Sequence, residues 1–307
     1  MGLTNELQLL RDTAQSSFWQ RYASTVGIMD GIIDRVDSNS DQETYPGLAY
    51  APRPRVMEGS RTHRSVPSFS FTIVNNKFES TWDVKYELWK FGRLGAVQAV
   101  VANMGAKARN HPSRLTADLI NAGSVDTGHD GQIFYSNAHV DTGARNQTAQ
   151  DNDLTSNITT TTAATVLEMY TALQANRAAY DTFLDGEGDP VVPGEEEQLL
   201  VMCPGGHMPA ARAVFKNDQI TGPIANDMKG IFKPVLNPFG DDGDEIFTFR
   251  TGGERKPFIY QVAEDVSFTD NIGGDSEFET KDVSLGTFSF QNVGYGDWRF
   301  TTRHIFT

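Results

Sequence analysis

Residues 45–67 read YPGLAYAPRPRVMEGSRTHRSVP, with Pro46, Pro52, Pro54 and Pro67 spaced through them. Proline fixes φ and offers no N–H to a helix or a sheet ladder, so this density excludes helix and central strand alike. The same stretch holds Arg53, Arg55, Arg61 and Arg64 against a single acid, Glu58, and no lysine occurs before Lys77. It is a basic, extended excursion. About 20 residues without a core of their own are uncommon in a compact domain unless they bind something, and the plain alternative is a solvated loop.

Upstream, Leu3, Leu7, Leu10, Ala14, Phe18 and Tyr22 recur at steps of three or four. That spacing predicts a helix over the first 24 residues. Downstream, Phe69, Phe71 and Ile73 alternate, Asn75 and Asn76 suit a turn, and Phe78, Ser80, Trp82, Val84 and Tyr86 alternate again. Two strands joined by a short turn are expected. Leu88, Phe91, Leu94, Val97, Val101, Met104 and Ala108 then step helically until Pro112, after which Ser113 suits the cap of a second helical stretch ending at Gly123.

Residues 124–160 are rich in Gly, Asn, Asp and Thr and read as an irregular connection to a helix near 163–177. An acid-rich surface loop follows over 181–197, then a short strand at 199–202, a short helix at 208–215 and a polar turn at 240–245. The last fifty residues alternate through 258–262, 283–290 and 293–300 and are expected to be mainly strand. By alternation with Phe300, Trp298 faces the core. Trp82, Phe91, Phe134 and Trp298 are the candidate core residues, and no repeat of fixed period occurs.

With 26 Lys and Arg against 40 Asp and Glu, the 307-residue chain carries a net charge of −14, which disfavours wrapping nucleic acid through nonspecific phosphate contacts. Its 38% hydrophobic and 10% aromatic content predicts a folded core. A single cysteine, Cys203, excludes an intramolecular disulfide framework and a Cys-based zinc cluster, and points to a reducing compartment. No basic, apolar leader opens the sequence and no run of 18 apolar residues occurs, so membrane spanning and secretion are not expected. Gly2 lacks the Ser or Thr of a myristoylation motif, because Glu6 stands there.

Candidate chemistry is sparse. His129, Asp130, His139 and Asp141 are metal-ligand types in a glycine-rich segment without the helical pairing of an HExxH site. DTGHDG (126–131) and DGEGD (185–189) depart from a calcium loop at Gly128, Asn137 and Pro190. Cys203 and His207 in CPGGH invite a nucleophile and base reading, but a lone cysteine closing an apolar strand is commonly a small buried hydrophobe. No GxSxG elbow, Walker loop or dinucleotide GxGxxG follows a strand. No catalytic residue, metal or cofactor is assigned.

Four segments carry a resemblance: HDGQIFYSNAH (129–139), NNKFESTWDVKYEL (75–88), KPFIYQ (256–261) and VGYGDW (293–298). In this order they resemble the Mu-like phage major head subunit family, whose members show a DGQ-aromatic-aromatic-x-x-x-His signature and Pro-Phe-Ile-x-Gln and Gly-x-Gly-x-Trp segments. Val140 departs from the proline usual after the histidine, and the acidic insert near 181–197 is a second departure.

The resemblance implies an α+β tailed-phage major capsid fold: an N-terminal arm (1–44), an extended loop (45–75), a peripheral domain with a long spine helix (76–139), an axial domain (140–252) and return strands of the peripheral domain (253–307). It implies a non-enzymatic shell protein that forms hexamers and pentamers, assembles in the bacterial cytoplasm with a scaffold or protease protein, a portal and a decoration protein, and encloses double-stranded DNA in the virion. On this reading Arg53, Arg55, Glu58, Arg61 and Arg64 make contacts between subunits. The lysine cross-link of some such shells is not expected, since the extended loop has none. An encapsulin-like compartment of the same fold is one alternative; a metal-dependent enzyme using His129 and His139 is another.

Overall fold

The computed structural model describes residues 3–27, 29–46, 54, 56–57, 59, 70–91, 93–140, 148–191, 198–240, 243–252, 255–272 and 281–307. Arg53, Arg55, Glu58, Arg61, Arg64 and Asp141 lie outside them.

The chain opens with helix α1 (Leu3–Ser24), whose Leu7, Leu10, Ala14 and Phe18 are buried, as the three-and-four spacing requires. Strands β1 (Ile33–Asp37), β2 (Gln42–Pro46), β3 (Ser70–Val74) and β4 (Asn76–Val84) follow, then a one-turn helix α2 (Tyr86–Lys90) and the long helix α3 (Leu94–Ala122). The second half runs β5 (Asp153–Ser156), α4 (Val166–Thr182), β6 (Leu199–Cys203), α5 (Met208–Lys216), β7 (Phe232–Leu236), β8 (Glu245–Arg250), β9 (Phe258–Asp270), β10 (Val283–Tyr295) and β11 (Thr301–Phe306). Helix α4 begins at a capping box: Thr165 Oγ1 accepts the Glu168 N–H while Glu168 accepts the Thr165 N–H.

Three sheets result. A four-stranded sheet has the order β1-β9-β10-β4, a five-stranded sheet has the order β5-β11-β8-β6-β7, and β2 pairs with β3. One core joins α1, the first half of α3 and the ends of β4 and β10 through Phe18, Val84, Val97, Val101 and Leu285. The other gathers α4, α5 and the five-stranded sheet, and takes in Ala117 and Ile120 from the far half of α3. Helix α3 thus runs from one core to the other.

Several expectations are corrected. Pro112 does not end the helix: α3 is continuous from Leu94 to Ala122 with Pro112 buried inside it. Packing on both sides, Val97 and Val101 in one core and Ala117 and Ile120 in the other, holds the helical backbone through a residue that by itself disfavours it. Phe91 is not a core residue; it is 70% exposed, because α2 ends at Lys90 and the helical period restarts at Leu94. Trp82 is half-buried, while Phe134 and Trp298 are fully buried as expected.

Nor do β3 and β4 form a hairpin. The chain steps between sheets at the buried Asn75, whose N–H donates to Asp41 O at 2.8 Å and whose Nδ2 donates to Ser40 O at 2.9 Å. Trp298 sits in a 3-10 turn (Trp298–Phe300), not a strand, so both it and Phe300 are buried without alternation. Of the segment 253–307, β9 and β10 join β1 and β4, but β11 crosses to the five-stranded sheet, parallel to β5 and antiparallel to β8.

Candidate functional site: a buried polar junction between the sheets

Three of the segments singled out in the sequence, far apart along the chain, meet in space. The loop 129–139 brings Phe134 against Tyr295 at 4.3 Å and Phe258 at 5.7 Å between ring centroids. His139 lies parallel to the indole of Trp298, 4.0 Å away with an interplanar angle of 8°. The fourth segment, 75–88, takes no part and lies mostly along β4 at the margin of the four-stranded sheet.

Asn152 ties the loop to the turn. Its Oδ1 accepts the Ser136 N–H at 2.8 Å, which orients the amide, and its Nδ2 donates to Phe134 O at 3.0 Å and Trp298 O at 3.3 Å. His139 then places Nε2 3.1 Å from that same Oδ1 and Nδ1 2.6 Å from Asp130 Oδ2. Both ring nitrogens face oxygen acceptors. Burial pushes the Asp130 carboxyl up, but the His139 hydrogen bond and the charges of His139 and His129 outweigh it and leave Asp130 below the ordinary range.

A second charged pair closes the junction on the other side of Trp298. The fully buried Asp297 accepts the Arg299 N–H at 3.1 Å and the Arg299 guanidinium at 3.2 Å, with Arg255 3.7 Å away. Burial alone raises the Asp297 carboxyl; the charges of Arg299, His129 and Arg255 with the backbone N–H bring it below its usual value. Arg299 also donates Nε to Leu184 O at 3.1 Å and sits 4.3 Å over the Trp298 ring. Buried charges persist where each is paired and hydrogen-bonded in this way. The arrangement locks the loop, Leu184 and the entrance to β11 into one unit.

This geometry leaves His139 no nitrogen for a metal, and among the described residues no group of three or more His, Cys, Asp or Glu is placed to hold one. Cys203 is buried with its thiol pushed up to about 12 by burial, and His207 Nδ1 accepts the Ala164 N–H at 3.1 Å. Neither is set up as nucleophile or base. His129, Asp130 and His139 stand out in the sequence as metal-ligand types, whereas Asn152, Asp297 and Arg299 carry no such local signal. Asn152 stands in a stretch of turn-forming residues, and nothing local distinguishes a buried amide from a solvated one.

The sequence matches the family "Mu-like prophage major head subunit gpT" over residues 7–178. No curated protein matches it. Among solved structures, the fold is similar to the procapsid of bacteriophage JBD30, with a TM-score of 0.57 at 18% identity over 100% of this chain and 77% of that chain. It is similar to the capsid of the cyanophage P-SCSP1u, with a TM-score of 0.59 at 11% identity over 92% and 88%. A virus-like particle from Pyrococcus furiosus is also similar, with a TM-score of 0.54 at 7% identity over 95% and 98%.

Proposed function

The chain belongs to the Mu-like prophage major head subunit gpT family and is a major capsid protein, and from that premise we propose how it builds and fills its shell. Identical copies associate as hexamers and pentamers that close into an icosahedral shell around double-stranded DNA. A scaffold or protease protein guides assembly in the host cytoplasm, a portal admits the DNA and a decoration protein binds outside. The protein is a structural subunit without catalysis.

The observation that carries this reading is the family match over residues 7–178, which extends from α1 through α3 and the junction loop into α4. The boundaries proposed for the shell are an arm over 1–44, an extended loop over 45–75, a peripheral domain with α3 as its spine, and an axial domain over 140–252. β11 joins the five-stranded sheet of that axial region. The net charge of −14 supports a lining that does not grip packaged DNA.

An encapsulin-like compartment would share the fold, and the family match favours the head subunit over it. Electron microscopy of the purified protein tests the reading. Closed shells or ring-shaped capsomers are expected; a monodisperse monomer at high concentration, unchanged by a scaffold protein, would count against it.

A further inference from the structure

Strand β4 ends the four-stranded sheet, and along its nine residues, Asn76–Val84, it is hydrogen-bonded only to β10 among the described residues. An edge of this length without proline or glycine is a template for another strand. The even-numbered residues face α3: Phe78 packs edge-on against His111 at 4.3 Å, Trp82 packs against the α1–α3 core and Val84 is buried in it. The odd-numbered residues, Lys77, Glu79, Thr81 and Asp83, are exposed on the opposite face. Lys77 and Asp83 have no ion-pair partner among the described residues, and Asp83 accepts only the Ser284 hydroxyl, at 2.7 Å.

We propose that β4 pairs antiparallel with β4 of a second copy of this chain, about a two-fold axis through Ser80. This rests on the reading of the protein as a shell subunit, which supplies the second copy. In that register Lys77 stands opposite Asp83 at both ends, Phe78 opposite Trp82, and Glu79 opposite Thr81. Opposite charges and aromatic pairs directly across a ladder are the pairs that stabilise it. Glu79 already accepts the Thr81 hydroxyl within the strand at 2.8 Å, so the cross-strand bond is a like-for-like exchange.

The neighbouring registers fail on charge or on face. A slide of two residues one way sets Glu79 against Asp83 and Lys77 against Lys85; a slide the other way sets Glu79 against its own copy. A slide of one residue turns the apolar face outward, and a parallel pairing in register opposes every charge to itself. A two-fold contact is also self-complementary by construction. On the α3 side, a groove of about 220 Å³ walled by Phe78, Met104, Lys107, Ala108 and His111 borders the strand.

The test uses the full chain. Cα atoms opposed across an antiparallel pair lie about 4.5–5.5 Å apart, within disulfide reach, and the native Cys203 is buried. Oxidised Ser80→Cys shells are expected to run as a covalent dimer on a non-reducing gel, while the parent stays monomeric. Adding Lys77→Glu should cut that dimer about tenfold, because two attractive pairs become repulsive. Adding Asp83→Lys as well should restore it. A Ser80→Cys protein that assembles yet gives no covalent dimer overturns the proposal, as does a charge swap that fails to rescue. Failure of the parent chain to form any shell would instead overturn the reading on which the proposal rests.

Discussion

Replacing Asn152 by alanine removes the acceptor of the Ser136 N–H and of His139 Nε2, together with donors to Phe134 O and Trp298 O, in a fully buried place. A buried donor left unsatisfied costs about 1–3 kcal/mol, so Asn152→Ala should lower unfolding stability by about 3 kcal/mol, read as a drop in the urea midpoint of the unassembled subunit. Trp298→Ala empties the space between His139 and Arg299, and truncating a buried tryptophan costs about 3–5 kcal/mol. Insoluble or unassembled protein is expected; normal shells from that variant would show that the indole does not hold the junction. His304 gives a pH prediction. Burial between Asn176 and Ser156 pushes its pKa down to about 4, against about 6.5 in an unfolded chain. The unfolded state takes the proton first, so this stabilisation is fully present above pH 6.5 and is lost as pH falls towards 4, by about 3 kcal/mol in all. His304→Gln should flatten that part of the stability curve measured by urea unfolding at successive pH values, and an unchanged slope would sink the assignment.

At the scale of elements, α1 and α3 cross at Gly105, where an added Cβ would stand 2.5 Å from Phe18 O and 3.3 Å from Tyr22 N. Alanine is the better helix former by up to about 1 kcal/mol, but the obstacle is backbone and α1 has to move. Gly105→Ala should therefore destabilise by about 1–3 kcal/mol and free α1 for proteolysis, checked by the melting temperature and by the size of the first cleavage product. Helix α1 was legible in the sequence because one of its faces is buried and its apolar period is unbroken. The hairpin expected at Asn75 and Asn76 was not, since alternation marks a strand but does not say which sheet it enters. Pro112 misled for a related reason: the penalty is local, and the packing that overrides it comes from residues distant in sequence.

For the whole molecule, the basic excursion belongs to a body of net charge −14. Arginine forks suit carboxylates, and a small contact repeated by every copy of a closed shell adds up. Arg61→Glu with Arg64→Glu should leave the subunit folded by circular dichroism and remove shells from the electron micrograph. Shells of normal size and salt resistance would show that other residues hold the excursion. What the amino-acid order determined alone was the family, the N-terminal helix with its buried face and the strand-rich end, because these rest on apolar period and ordered motifs. Which sheet each strand joins, that β11 leaves β9 and β10 for the five-stranded sheet, and that Asn152, Asp297 and Arg299 close a junction around Trp298 were decided only by the tertiary structure. Burial and pairing between residues separated by more than a hundred positions are properties of the folded chain, and no local pattern encodes them.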